Sequence, residues 1–152
     1  MRATTAQPVF ALINPPPHRN PAIAVIGAGF SGTLLALHLL RRCPPAAHIH
    51  LIEQSPRFGR GLAYSTGNLN HLLNVPTVRM SAFHDRPDDF LDWLRRRSGE
   101  PCAASVTANC FVARKTFGDY VRYHLKEELR RTAGDSRRRR PVSYTHLTLP
   151  TN

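Results

Sequence analysis

Apolar residues along the chain fall into a few short rhythms, and each rhythm predicts an element. Ile23, Val25 and Ile26 make a compact run from Ala22 to Ile26. Its length and β-branched content predict a buried strand. Leu34, Leu35, Leu37, Leu39 and Leu40 follow within Ser31 to Arg42. They predict a helix that is apolar on most of its surface, suited to a place between a sheet and other elements. Arg41 and Arg42 favour its C-terminal end, and Pro44 and Pro45 stop it. In His48 to Ile52 the apolar Ile49 and Leu51 alternate with His48 and His50, a second strand. The two strands are expected to be adjacent and parallel, with a right-handed helical crossover between them.

Two more helices are legible downstream. From Pro87 to Arg97, Phe90, Trp93 and Leu94 lie at i, i+3 and i+4. Pro87 suits the first helical position, Asp88 and Asp89 the first turn, and Gly99 follows as a stop. From Thr116 to Arg131, Phe117, Val121, Leu125 and Leu129 recur every fourth residue, with Tyr120 alongside and Gly134 as the stop. Strand, helix, strand, then further helices is an α/β pattern.

The join between the first strand and its helix carries the clearest chemistry. Ala22 to Gly32 reads A-I-A-V-I-G-A-G-F-S-G, with Gly27, Gly29 and Gly32 spaced G-x-G-x-x-G. Gly27 permits a tight turn, Gly29 lets the backbone approach a pyrophosphate, and Gly32 lets the helix lie close to the strand. Ala28, Phe30 and Ser31 fill the positions between, and the helix start directs unpaired N–H groups at the phosphates. The second strand ends in Glu53, followed by Gln54, about 21 residues beyond the last glycine, where an acid is placed to receive ribose hydroxyls. Cofactor-binding candidates are therefore Gly27, Ala28, Gly29, Phe30, Ser31, Gly32, Glu53 and Gln54. Arg60, held between Gly59 and Gly61, is a candidate partner for cofactor phosphates or a solvated turn residue. Asn74-Val75-Pro76 marks a turn.

Composition changes this picture little. The net charge is +11, from 21 Lys and Arg against 10 Asp and Glu. Six of the positive side chains are Arg2, Arg19 and Arg137 to Arg140, near the ends, with no nucleic-acid recognition motif beside them. No nucleic-acid partner is expected. Cys43, Cys102 and Cys110 contain no C-x-x-C, and thiols in a reducing compartment are the simplest reading. No stretch approaches the roughly 18 apolar residues of a membrane span. A cytoplasmic protein without a membrane partner is expected. Met1 to Asn20, with Pro15-Pro16-Pro17, reads as a flexible leader. His48 and His50 lack further ligands at metal spacing, so no metal site is expected. Tyr120 and His124 stand at i, i+4, but no carboxylate can be tied to them from sequence, so no catalytic side chain is assigned.

Taken in order, V-I-G-A-G-F-S-G, L-I-E-Q, G-R-G-L-A-Y, H-L-L-N-V-P-T-V-R-M-S-A-F, P-D-D-F-L-D-W-L and R-K-T-F-G-D-Y-V resemble a known family. It is that of the bacterial FAD/NAD(P)-binding proteins of the FAD-dependent urate hydroxylase and aspartate N-monooxygenase type. The likeness runs from Ile23 to about Leu129. It implies a Rossmann-type FAD/NAD(P)-binding fold, with the ADP half of FAD on Gly27 to Gly32 and Glu53. It also implies that Arg60 and the loop Asn74, Val75, Pro76 lie along the FAD, with Gly61 to Tyr64 packed beside them. The implied activity is that of a flavin monooxygenase using FAD, with NAD(P)H as co-substrate and a small molecule as substrate. A nicotinamide dehydrogenase or a non-catalytic nucleotide-binding, redox-sensing module are the alternatives. The family's second nucleotide site is not found here, so residues 21–140 are read as the N-terminal part of a longer enzyme, itself inactive.

Val142 to Thr151, V-S-Y-T-H-L-T-L-P-T, resembles one reading frame of a transposon-end adapter used in sequencing-library preparation. On that reading residues 141–152 are a non-native tail. The sheet is then expected to keep an unpaired edge. Phe90, Trp93, Leu94, Val121 and Leu125 are expected to lose part of their cover.

Overall fold

The computed structural model describes residues 21–54, 58–97 and 108–134, and the backbone of 142–146. The expectations for Met1 to Asn20, Gly99, Cys102, the Arg137 to Arg140 run and residues 147–152 lie outside the described residues.

Strand β1 (Ala22–Ile26) leads through the glycine turn into helix α1 (Phe30–Arg42), and the chain returns as strand β2 (His48–Glu53). β1 and β2 are parallel neighbours, with Ala22 opposite His48 and Ile26 opposite Ile52. Helices α2 (Asp89–Arg96) and α3 (Arg114–Gly134) follow, with a 3-10 turn at Thr77–Arg79 before them. A third strand, β3 (Val142–His146), runs parallel to β2, with Ile49 opposite Val142 and Glu53 opposite His146. The strand order is β1-β2-β3. This is an α/β architecture with a partial Rossmann-like sheet.

Four expectations need correction. The outer side of β2 is not an open edge, because the backbone of Val142–His146 pairs with it. β-Branched and aromatic residues suit that segment to a strand. Nor are the helix faces uncovered: Phe90, Leu94, Val121 and Leu125 are buried, and Trp93 is partly buried against them. α2 begins at Asp89, not at Pro87. Its first helical hydrogen bond runs from the Asp92 N–H to the Asp88 carbonyl at 2.9 Å, so Pro87 and Asp88 belong to the preceding turn. Finally, α1 is buried on one side only. Thr33, Ala36, Leu37 and Leu40 face inward, while Leu35 is 51% exposed.

The core has two parts, and α1 and α3 serve both. Beneath the sheet, Val25, Ile49 and Leu51 pack against Ala28, Ala36 and Leu40 of the turn and α1, and Leu125 of α3. On the other side, Leu37 joins Phe83, Phe90, Leu94, Phe117, Tyr120 and Val121 in an aromatic cluster. There the Phe90 and Phe117 rings meet edge to face, centroids 5.0 Å apart. Such pairs contribute about 0.5–1.5 kcal/mol beyond their buried area. Arg41 of α1 and Glu128 of α3 tie the two helices at 2.8 Å.

Candidate functional site: the glycine turn and the loop above it

The turn is built almost wholly from backbone. Gly27 has φ of 90°, which only glycine adopts without strain. Its N–H donates to the Ile52 carbonyl at 2.7 Å, extending the strand pairing by one residue. Ala28 is fully buried. Its carbonyl accepts from the Thr33 hydroxyl at 3.1 Å and from the Gly59 N–H at 2.8 Å. Gly29 caps α1 without a side-chain hydrogen bond, and the first helical bond runs from the Thr33 N–H to the Gly29 carbonyl at 3.0 Å. A Cβ on Gly32 would stand 1.8 Å from the Gly27 carbonyl oxygen, so this glycine is demanded by the packing of helix on turn.

Gly29 is different. A Cβ there would meet Gly61 Cα at 3.6 Å, an ordinary contact, with nothing else described within 4 Å. Its φ of −70° suits any residue. The fold itself therefore does not require glycine at this position. A ligand phosphate that must approach the main chain would require it. Phe30 and Ser31 open the helix here. Ser31 is exposed, and Phe30 turns away to pack on Tyr64 and Phe117, with ring centroids 5.6 Å from each. The first turn of α1 has no acidic residue of its own, so the helix supplies no carboxylate to occupy its start.

Glu53 reaches the turn from the end of β2. Its Oε2 accepts from the Ala28 N–H at 2.7 Å, and its Oε1 accepts from the Gln54 N–H at 2.9 Å. These two bonds hold the carboxylate against the turn. Gln54 is exposed beside it.

Above the turn lies the loop from Phe58 to Tyr64. Gly59 and Gly61 have φ of 80° and 56°. A Cβ on Gly61 would stand 2.9 Å from Gly29 Cα, and one on Gly59 would stand 2.2 Å from Arg122 Cγ. The loop is thus pressed between the glycine turn and α3. α3 accommodates it at Gly118, where a Cβ would come within 2.9 Å of Arg60 Cγ and of Tyr64. Arg60 extends along α3 and pairs with Asp119. The Arg60 Nε is buried and has no hydrogen-bond partner among the described residues.

Asn74, Val75 and Pro76 are placed elsewhere. Asn74 is exposed, and the segment is held against residues 108–112. The Leu73 N–H donates to the Val112 carbonyl at 2.9 Å, and the Thr77 N–H to the Cys110 carbonyl at 3.0 Å. The structure brings the turn, Glu53, Gln54 and the Arg60 loop together, while the Asn74–Pro76 segment packs on a separate part of the chain.

Sequence reasoning missed two arrangements on α3. One is Asp119, the partner of Arg60. The other is a buried polar group around Asp89. The Tyr120 hydroxyl donates to Asp89 Oδ2 at 2.8 Å and accepts from the Ala82 N–H at 3.1 Å. Arg86 meets Asp89 Oδ1 at 2.8 Å. His124 Nε2 lies 2.8 Å from Asp89 Oδ2, but off line for a hydrogen bond. Burial pushes the Tyr120 hydroxyl well above the usual phenol range, with the Asp89 charge adding to it, so Tyr120 stays a proton donor. Burial pulls His124 below the usual imidazole value, against Asp89 and with Arg86 and Arg41. Asp89, Tyr120 and His124 are buried and Arg86 covers them from the surface, so this group braces the helices. The i, i+4 spacing of Tyr120 and His124 was visible, but their shared carboxylate lies some thirty residues earlier.

Parallel strands, a glycine turn opening a helix, and an acid at the end of the second strand define a dinucleotide-binding α/β domain. The sequence profile of the FAD-NAD(P)-binding family matches residues 24–143, and the chain belongs to that family. No curated protein matches the chain. Among the described residues, no helix is long and apolar enough to cross a membrane, and no group of three His, Cys, Asp or Glu side chains could hold a metal ion.

Proposed function

We propose that this chain holds the ADP half of FAD for a flavin-dependent oxidoreductase of the monooxygenase kind. The observation that carries the reading is Gly29. It is a glycine the fold does not need, at an uncapped helix start, beside the Glu53 carboxylate. The pyrophosphate would lie on the backbone of Gly27 to Gly32, and the ribose against Glu53. FAD bound there would supply the redox chemistry, accepting hydride from NAD(P)H and reacting with oxygen to hydroxylate a small molecule. The chain's own residues orient the nucleotide and exclude water from it. The resemblance to urate hydroxylase and aspartate N-monooxygenase types supports the monooxygenase assignment over a nicotinamide dehydrogenase. We read residues 142–151 as adapter-derived and the protein as a cytoplasmic enzyme. Residues 1–152 alone should bind FAD weakly and not turn over NAD(P)H.

The test is Gly29→Val in this chain, with FAD, ADP and NAD titrated by calorimetry. Its branched side chain would fill the space left for the pyrophosphate. Nucleotide binding should disappear while the far-ultraviolet circular dichroism stays that of the parent. Unchanged binding in the variant would remove the site. Tighter binding of NAD than of FAD would favour a dehydrogenase.

A further inference from the structure

Arg60 is fixed at three places. The Gly59 N–H bonds the Ala28 carbonyl at 2.8 Å, so the residue before it is tied to the glycine turn. Gly61, the residue after it, lies against Gly29. The Arg60 stem rests against Gly118, and its guanidinium ends on Asp119. A guanidinium carries five donors in a fixed fork. Asp119 takes part of that fork, and the buried Nε has no acceptor among the described residues. A buried donor left unpaired costs about 1–3 kcal/mol, and such groups in native structures call for an explanation.

We infer that Asp119 is a positioning residue for nucleotide binding. It holds Arg60 so that the Nε edge is kept for a phosphate oxygen of the dinucleotide. The inference rests on the dinucleotide reading above and adds to it a residue that does not touch the ligand. Three glycines make the arrangement possible. Gly59 and Gly61 bring the loop onto the turn, and Gly118 lets the arginine stem lie on α3. Asp119 neutralises part of the arginine charge, so its contribution is placement of the donor. Without it the long arginine side chain must be ordered by the ligand, which lowers affinity.

The experiment measures ADP and adenosine binding to the 152-residue chain by calorimetry, for the parent, Asp119→Ala, Arg60→Ala and the double variant. Adenosine shares the base and ribose but lacks the pyrophosphate. Asp119→Ala should weaken ADP about tenfold, in the range of one charge-assisted hydrogen bond, and leave adenosine unchanged. The double variant should bind ADP no worse than Arg60→Ala, because both changes remove one interaction. Asp119→Asn keeps an acceptor of the same shape and should fall between parent and Asp119→Ala, which also covers the case in which the alanine variant does not fold. Equal losses for ADP and adenosine, additive losses in the double variant, or an Arg60→Ala chain with parental ADP affinity would each overturn the inference. A parent chain that binds neither ligand would overturn the dinucleotide reading as well, so the two failures are distinguishable.

Discussion

The glycine turn and the polar group around Asp89 are built by opposite means. At the turn, contacts run between main-chain atoms of Gly27, Ala28 and Gly59, with Glu53 and Thr33 as the side chains that join in. Around Asp89 every contact involves a side chain and, Arg86 aside, joins residues 31 to 38 apart in the chain. A site made of main chain depends on atoms being absent. A core made of side chains depends on atoms being present. The turn should therefore fail when a methyl group is added, and the Asp89 group when a single oxygen is taken away.

The largest effect is expected at Gly32. A methyl group there overlaps the Gly27 carbonyl at 1.8 Å, and neither helix nor turn can move without breaking the other. Gly32→Ala should lose about 3 kcal/mol or more in denaturant unfolding, at the upper end for overpacking. If stability were kept, the turn would be looser than its contacts show. Tyr120→Phe sets the opposite case, losing one oxygen and almost no volume. It leaves the Ala82 N–H without that acceptor and Asp89 Oδ2 without that donor, at a cost of about 1–3 kcal/mol. A neutral result would mean that Asp89 is satisfied by Arg86 alone.

Acid probes the same group more gently. His124 binds its proton less readily when folded, because it is buried. The unfolded chain then takes up more protons as the pH falls, so stability is retained above the unfolded value of about 6.5 and declines below it. His124→Gln should flatten that decline in melts taken between neutral and mildly acidic pH. An unchanged slope would assign the acid loss to carboxylates. The smallest effect is expected at Gly29, three residues from Gly32 in the same motif. Gly29→Ala should change unfolding by less than about 1 kcal/mol, since its Cβ has room and its φ is ordinary. A large loss here would erase the distinction between a glycine needed by the fold and one needed by a ligand.

The same contrast decides what was legible in the sequence. β1, the turn, α1 and β2 could be read because their signal is local. Three glycines in six residues, two short apolar runs and one acid leave few alternatives. Glu53 was found by its distance from the glycines, and the flanking glycines drew attention to Arg60. Its partner Asp119 was hidden, since 59 residues separate them and Asp119 reads as an ordinary helix-surface acid. Asp89 was misread for a related reason. An acid in the first turn of a helix usually serves the dipole, yet here its carboxylate turns inward to Tyr120. Gly118 gave no sign at all, because a glycine inside a helix pattern reveals nothing of the loop that will lie across it.

α3 contributes Leu125 to the apolar layer beneath the sheet and Phe117, Tyr120 and Val121 to the aromatic cluster. α1 is shared in the same way, with Ala36 and Leu40 in the apolar layer and Leu37 in the aromatic cluster. Neither half can open while the other stays closed, since two helices would have to leave both at once. The slowest-exchanging amide protons of α1 and α3 should therefore open together, in one subglobal event that also releases the nucleotide turn.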